Sequence, residues 1–339
     1  MSTATVRARK SSRAKPNLPP VPSTMRAAAI DHYGSPDVLA LHELPVPEIG
    51  PKEVLLAVHT AGVGSWDGDI RDGWSPGGRL SFPLILGADG SGTVVRLGSA
   101  VRRFAVGDPV YSYSWMNPKG GFYAEYVAVR ADNVAPIPMP PLDMVQAGGA
   151  PTVGLTAYQG IADHLDIQTG EHLMIHGASG GVGTLAIQFA KERGAKVFAV
   201  ASGKDGVALV QSLGADYAVD GLHEDFVEAA LRFAPKGVHA ALVLGSGDSV
   251  PRCLDTLRPG GRLAYPNGVE PAPEKRRGLK IISYDAEASA RSFERMNRVI
   301  KKTKFRVPIA AQFPLEEAAK AHRRIDQGHV LGKIVLRIR

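Results

Sequence analysis

The feature that most constrains this chain is a glycine-rich turn, Gly177-Ala178-Ser179-Gly180-Gly181-Val182-Gly183, set between an apolar run, His172–His176, and an amphipathic one, Val182–Arg193. Glycines at 177, 180 and 183 meet three needs: a tight turn, close approach of the backbone to a diphosphate, and close packing of helix on strand. The unpaired N–H groups and positive end of the following helix favour an anion. A lone glycine triplet is weak evidence, but here it opens an alternating series. Strand Lys196–Ala201 is followed by helix Gly206–Leu213, strand Tyr217–Val219, helix Glu224–Phe233, strand His239–Leu244, helix Val250–Leu257 and strand Gly261–Tyr265. Gly194, Gly214 and Gly260 fall just past the predicted helix ends, where a left-handed cap is wanted. The alternation predicts an α/β fold with a doubly wound parallel sheet, helices on both faces.

Two rival uses of the turn are disfavoured. Gly177-x-Ser179-x-Gly181 also spells a hydrolase nucleophile elbow, but that fold needs an oxyanion loop and a sheet already under way upstream. A short-chain reductase needs Tyr-x-x-x-Lys, and none of the nine tyrosines has a lysine four residues later. An NAD site places an acid about 20 residues past the loop, for the ribose 2′-OH. The second strand ends instead in Ala201-Ser202-Gly203-Lys204, a hydroxyl and a cation suited to a 2′-phosphate, with Asp205 one residue beyond. NADP (as NADPH) is the cofactor expected, with Ser202 and Lys204 at its phosphate.

Upstream, Arg26–Ile30, Glu53–Thr60, Ser91–Leu97, Pro109–Tyr113 and Ala124–Val129 are short β-rich pieces separated by turn residues, which predicts a β-barrel-like domain. The last 55 residues return to helix Ala286–Lys302, a strand, helix Leu315–Gln327 and strand Lys333–Arg337. A length of 339 residues fits two domains. The expected division is a barrel domain at 25–135 completed by 285–339, and a nucleotide domain at 136–284. Residues 1–24 carry Arg7, Arg9, Lys10, Arg13 and Lys15 and no acid, leaving only +2 of the net +7 charge on the rest. A solvated, disordered tail is expected there, with no nucleic-acid partner and no secretory apolar segment. No apolar run reaches the roughly 20 residues of a membrane helix, so no membrane partner is expected. The single cysteine, Cys253, can form neither an internal disulfide nor a thiolate zinc site, which fits a reducing, cytoplasmic location.

Taken together, the residues resemble the zinc-independent medium-chain dehydrogenase/reductases, in the quinone oxidoreductase (zeta-crystallin-like) and enone reductase branch. The resemblance runs from Met25 to Arg339. It rests on Ala61-Gly62-Val63, Gly87-Ala88-Asp89-Gly90-Ser91-Gly92-Thr93-Val94, Val106-Gly107-Asp108, Gly120-Gly121-Phe122-Tyr123-Ala124-Glu125-Tyr126-Val127, Val153-Gly154-Leu155-Thr156-Ala157-Tyr158, the glycine loop, and Leu331-Gly332-Lys333-Ile334-Val335-Leu336. It implies a GroES-like catalytic domain beside a Rossmann domain, with NADPH in the cleft between them. It places Thr156 near the nicotinamide, Gly245, Ser246, Asn267 and Gly268 along the cofactor, and Lys333 at the pyrophosphate or cleft. A homodimer is implied as well, through edge pairing of strand Leu279–Ser283. The zinc-ligand positions of related alcohol dehydrogenases read Gly64-Ser65, Ala88-Asp89 and Pro151–Val153 here, so no metal is expected.

Without zinc to polarise a carbonyl, the expected acceptor is an activated small molecule, a quinone or an α,β-unsaturated carbonyl that takes hydride. Two donors found in related reductases, an Asn and a Tyr, are replaced by Gly64 and Asp69. Tyr113 is the candidate proton donor in their place, and Trp66, Trp115 and Phe122 are candidates for an aromatic substrate wall. Asp67 and Arg71 are read as a buried pair shaping the loop. The missing donors keep open an alternative, a non-catalytic NADPH-binding or interaction protein.

Overall fold

The computed structural model describes residues 19–75 and 80–339, and the five cations of the expected tail lie outside the described residues. In chain order the elements are β1 (Thr24–Ile30), β2 (Ala40–Pro45), β3 (Glu53–Val63), α1 (Ser65–Arg71), β4 (Leu84–Ile85), β5 (Asp89–Leu97), β6 (Pro109–Tyr113), β7 (Tyr126–Arg130), β8 (Val134–Pro136), α2 (Met144–Gly148) and α3 (Pro151–Gln159). Then come β9 (His172–His176), α4 (Gly181–Glu192), β10 (Lys196–Ala201), α5 (Gly203–Ser212), β11 (Tyr217–Asp220), α6 (Phe226–Phe233), β12 (Val238–Val243), β13 (Leu257–Pro266) and β14 (Lys280–Tyr284). The chain closes with α7 (Ala290–Ile300), β15 (Ile309–Pro314), α8 (Ala318–Asp326) and β16 (Lys333–Arg337).

The strands from β9 to β14 form one six-stranded sheet in the order β11-β10-β9-β12-β13-β14, with every pair parallel. Leu173, Met174 and Ile175 of β9 are fully buried, as expected where helices cover both faces and apolar runs need not alternate. Helix α4 covers one face with Leu185, Ile187 and Phe189. Helix α6 lies in the other core with Phe226, Ala229 and Ala230, its first turn capped by the Asp225 carboxylate, which accepts from Val227 and Glu228 N–H.

The second architecture is antiparallel in its main part. A larger sheet runs β15-β16-β3-β5-β6-β8, with β7 also on β3, and a small sheet runs β2-β1-β4. Strand β16 lies between β15 and β3 and pairs antiparallel with β3, Ile334 opposite Val63 and Arg337 opposite Thr60. The last two strands of the chain therefore complete one side of the larger sheet of the GroES-like part. On its way there it touches the glycine loop: Gly332 N–H donates to Ser179 O at 2.9 Å, and Gly180 and Gly332 form an isolated parallel bridge.

The departures from the sequence reading include the short elements α1, α2, α3, β4 and β8, which it did not name, and a helix read at Leu315–Gln327 that is a 3-10 turn at Leu315–Glu317 followed by α8. The run Val250–Leu257 is not an α-helix but a 3-10 turn at Pro251–Thr256, because Leu257 is already drawn into β13. Strand β2 was not anticipated; its residues are exposed or half-buried throughout and carry no buried apolar stripe, and its place comes from pairing with β1. The helix expected from Ala286 starts at Ala290, where Ser289 Oγ accepts from Ser292 N–H.

Gly183 tests the loop packing. A Cβ there would sit 2.5 Å from Gly177 O and 2.6 Å from Ala178 Cα, both backbone atoms that cannot rotate aside. Gly183→Ala is expected to lower urea-unfolding stability by about 1–3 kcal/mol; an unchanged midpoint would contradict the packing.

Candidate functional site

The glycine loop leaves the centre of the parallel sheet. Strand β9 is flanked by β10 on one side and β12 on the other, so the chain direction across the sheet reverses at the C-terminal ends of β9 and β12. Gly177, with φ +76°, makes the turn there, and a Cβ on it would stand 2.9 Å from Gly245 N. At Gly180 the nearest atom to an added Cβ is 3.6 Å away, so that side of the loop is open. Helix α4 begins at Gly181, runs for twelve residues and has no acid in its first turn. Its first-turn N–H groups have no acceptor within the helix. Ala178 N–H donates to Val200 O, and Ser202 N–H lies 3.4 Å from Ser179 Oγ, fastening the loop to β10.

The parallel register carries other predicted residues to the same end of the sheet. Val243 stands opposite His176, which places Gly245 and Ser246 beside the loop, and Leu242 opposite Ala264 sets Asn267 and Gly268 one strand further. Ser246 Oγ accepts from Glu270 N–H, and Asn267 Nδ2 donates to Asp285. Lys204 is exposed in the first turn of α5. Val182 is half-buried at the start of α4. His176, the last residue of β9, is held neutral by burial, its pKa lowered to about 4, with Nε2 against Ser249 Oγ and Nδ1 unpartnered.

Facing the loop is a buried charged group from the other sheet. Lys333 is 4% exposed, and its Nζ donates to Val63 O at 2.7 Å while lying 5.1 Å from the Trp66 ring centre. Its stem packs on the loop: a Cβ at Gly181 would meet Lys333 Cδ at 2.8 Å. Burial pulls the ammonium below the ordinary lysine range, while Asp89 and Asp67 pull it back. Asp89 accepts from Thr152 N–H at 2.8 Å, leaves its other oxygen unpartnered, and is pushed up by burial. Asp67 accepts from the N–H groups of Gly64 and Gly87 and from Tyr123 Oη. Burial pushes its pKa up to about 7 despite those bonds. Thr156, on α3, is buried and donates to Thr152 O. Tyr113 ends β6; burial, then Asp89 and Asp285, raise its pKa far enough that the hydroxyl keeps its proton at any working pH.

Several expectations need correction. Asp67 and Arg71 are both buried but do not pair. Arg71 reaches Asp72, Asp326 and Nδ1 of His322, and the link to Asp67 runs through His322 Nε2 and Tyr123 Oη. Phe122 is fully buried in the core shared by the two antiparallel sheets. Trp115 is exposed, with Trp74 as its ring neighbour, and Trp66 lies beneath Lys333; among the described residues no ring contact joins Trp66, Trp115 and Phe122. Among the described residues Ser179 has no imidazole partner, as a nucleophile would require. The sequence reading also missed His329, whose ring binds both Ser202 Oγ and Asp205. Its only signal was position, four residues before Lys333. A hollow of about 750 Å³ lined by Asp163, His164, Arg262 and Lys280 lies at the opposite end of the parallel sheet, since Arg262 and Lys280 are level with the start of β9.

Zinc does not fit the residues present. A side chain at 64 would run into the Trp66 indole, whose ring atoms occupy that space. Cys253 is buried in the core behind β12, and among the described residues no group of three or more His, Cys, Asp or Glu could hold a metal ion. No helix among the described residues is long and apolar enough to cross a membrane.

Comparison with known proteins agrees with this architecture. The family described as "Alcohol dehydrogenase GroES-like domain" matches residues 50–139, and that described as "Zinc-binding dehydrogenase" matches 213–336. Over 329 residues the chain is 28% identical to a quinone oxidoreductase of Mus musculus, covering 92% of this chain and 97% of that one. It is 29% identical over 325 residues to a chloroplastic NADPH-dependent alkenal/one oxidoreductase of Arabidopsis thaliana, covering 93% and 80%. Among solved structures, an NAD-dependent alcohol dehydrogenase is 32% identical with a TM-score of 0.85, and the quinone oxidoreductase from Coxiella burnetii is 31% identical with 0.83. Each covers 93% of this chain and is itself covered completely.

Asp67 gives the site a pH signature. It holds its proton more tightly folded than unfolded, so its contribution to stability is greatest below about pH 4 and is lost as pH rises to about 7. In urea titrations the stability of the wild type relative to Asp67→Asn should fall by about 2–3 kcal/mol between pH 5 and 7.5. It should then stay level; a difference independent of pH would show that Asp67 is ionised throughout.

Proposed function

The chain belongs to the medium-chain dehydrogenase/reductase family, whose members are pyridine-nucleotide oxidoreductases, and on that premise we propose that it is an NADPH-dependent, zinc-independent reductase of quinones or α,β-unsaturated carbonyls. The observation that carries the reading is the open glycine loop with the unpaired N–H groups of α4, set at the switch point of the sheet and faced by the buried Lys333. The diphosphate would lie against Gly180 to Gly183, backed by Gly177, Ala178 and Ser179. Gly245, Ser246, Asn267 and Gly268 line the same end of the sheet, and Thr156 and Lys333 stand towards the nicotinamide. Ser202 and Lys204 would take the 2′-phosphate.

Bound NADPH supplies the hydride. The protein's share is to orient the acceptor, keep water out and stabilise negative charge growing on the acceptor oxygen. Tyr113 is suited to the last task as a hydrogen-bond donor, because its hydroxyl stays protonated and no protein acceptor among the described residues takes that proton. Lys333 places a basic group, its pKa lowered by burial, at short range in a dry setting, where electrostatic interactions count for more than in water. A zinc-free route suits acceptors already activated by conjugation, and the Trp66 indole over Gly64 leaves no place for a ligand there. The chemistry of the site supports a small-molecule substrate, and the open edge of β14 supports a homodimer through edge pairing.

Purified protein with NADPH should reduce a panel of quinones and conjugated enones well above the rate without enzyme. Tyr113→Phe should lower kcat about 10- to 100-fold with little change in the Kd for NADPH. Tight NADPH binding without turnover of any acceptor would favour the non-catalytic alternative.

A further inference from the structure

We propose that His329 sets the dinucleotide preference of this protein by engaging the carboxylate of Asp205, so that the adenosine end of the cleft accepts a 2′-phosphate beside Ser202 and Lys204. The proposal rests on the NADPH reading above and adds the residue that makes it workable.

The difficulty it answers is visible in the sequence. An acid about 20 residues beyond the glycine loop ordinarily accepts the ribose 2′-OH of NAD, and a carboxylate free at that spot repels a 2′-phosphate. Asp205 stands 22 residues past Gly183, close to that distance. In the fold it is engaged on both oxygens. Oδ2 lies 2.9 Å from His329 Nε2, and Oδ1 accepts from Gly206 N–H at 2.9 Å. Its pKa is held below the usual carboxylate range, first of all by the hydrogen bond from His329. The second acid nearby, Asp220, is engaged in the same manner, by the N–H groups of Gly203 and Leu222 and by Nδ1 of His223. Lys204 has no ion-pair partner among the described residues, which leaves its charge available to a ligand.

His329 comes from the other side of the cleft. It sits in the loop between α8 and β16 with φ +47°, directly after Gly328 at φ +70°, and the two left-handed residues turn the ring back towards α5. Arg324 holds the turn by donating to the carbonyls of Gly328 and His329 at 2.9 and 3.2 Å. The ring passes over Gly203, where a Cβ would come within 3.0 Å of His329 Cε1. Nδ1 meets Ser202 Oγ at 3.0 Å. Nε2–H donates to Asp205 while Nδ1 faces Ser202 Oγ, so the ring occupies the carboxylate and the serine hydroxyl can turn its proton towards a 2′-phosphate.

Fluorescence titration of the apoprotein with NADPH and with NADH tests this, using wild type, His329→Gln, and the double variant His329→Gln/Asp205→Asn. The wild type is expected to favour NADPH. His329→Gln should weaken NADPH about tenfold while the loss for NADH stays small, and the double variant should recover the preference because the repelling charge is gone. An unchanged NADPH:NADH ratio in His329→Gln overturns the proposal. So does a loss that Asp205→Asn does not repair, since a merely structural tie between loops would not respond to removal of that charge. A wild type with no preference for NADPH overturns the nucleotide reading itself, and that result appears before any substitution is made.

Discussion

The hydrogen bond from Gly332 N–H to Ser179 O is the contact on which the arrangement depends. It joins the glycine loop of the parallel sheet to the strand that completes the antiparallel one, and so fixes how the two halves face each other. Gly332 can make it because its φ of +97° lets the chain turn beneath Pro308, where a side chain would collide with backbone. The same short strap carries His329 to the rim of α5 and Lys333 over the face of the Trp66 ring. Three points along one cleft are therefore set by five residues of a single segment.

The group around Lys333 shows why the strap is placed where it is. A cation and two carboxylates buried together are costly unless each finds partners, and a missing partner costs more than the whole set. Here Lys333 leans on Val63 O, Asp89 on Thr152 N–H, and Asp67 on two backbone N–H groups and Tyr123. The group and its partners come from β3, α1 and its N-cap, the loop before β5, β5, the loop before β7, the start of α3 and β16. The group can form only when both parts of the molecule are assembled, which ties the electrostatics of the cleft to the fold. The Asp67–Tyr123–His322–Arg71 chain extends the same logic outwards to α8.

Much of this was legible in the sequence, for identifiable reasons. The alternating strands and helices from His172 to Tyr265 announce themselves because parallel strands covered on both faces are unbroken apolar runs and their helices end at glycines such as Gly194 and Gly214. The loop glycines at 177 and 183 were readable because a Cβ at either would press on backbone atoms, while at Gly180 a Cβ meets nothing closer than 3.6 Å. What escaped notice depends on distant contacts. Strand β2 owes its form to its neighbour, and Phe122 faces a core shared by the small and the large sheet. Arg71 turns to His322 and Asp326 rather than to Asp67 because α8 packs against α1. His329 was invisible because nothing local marks a histidine as reaching Asp205 and Ser202, which follow β10 of the parallel sheet more than 120 residues earlier.

The most direct test of the central claim, that the loop at 177–183 and the first turn of α4 grip the diphosphate, is amide hydrogen exchange of the apoprotein with and without NADPH. Exchange should slow at Gly181, Val182 and Gly183 when the nucleotide is added. Unaltered exchange at those three amides under saturating NADPH, or protection confined to the hollow around Asp163 and Lys280, would contradict it.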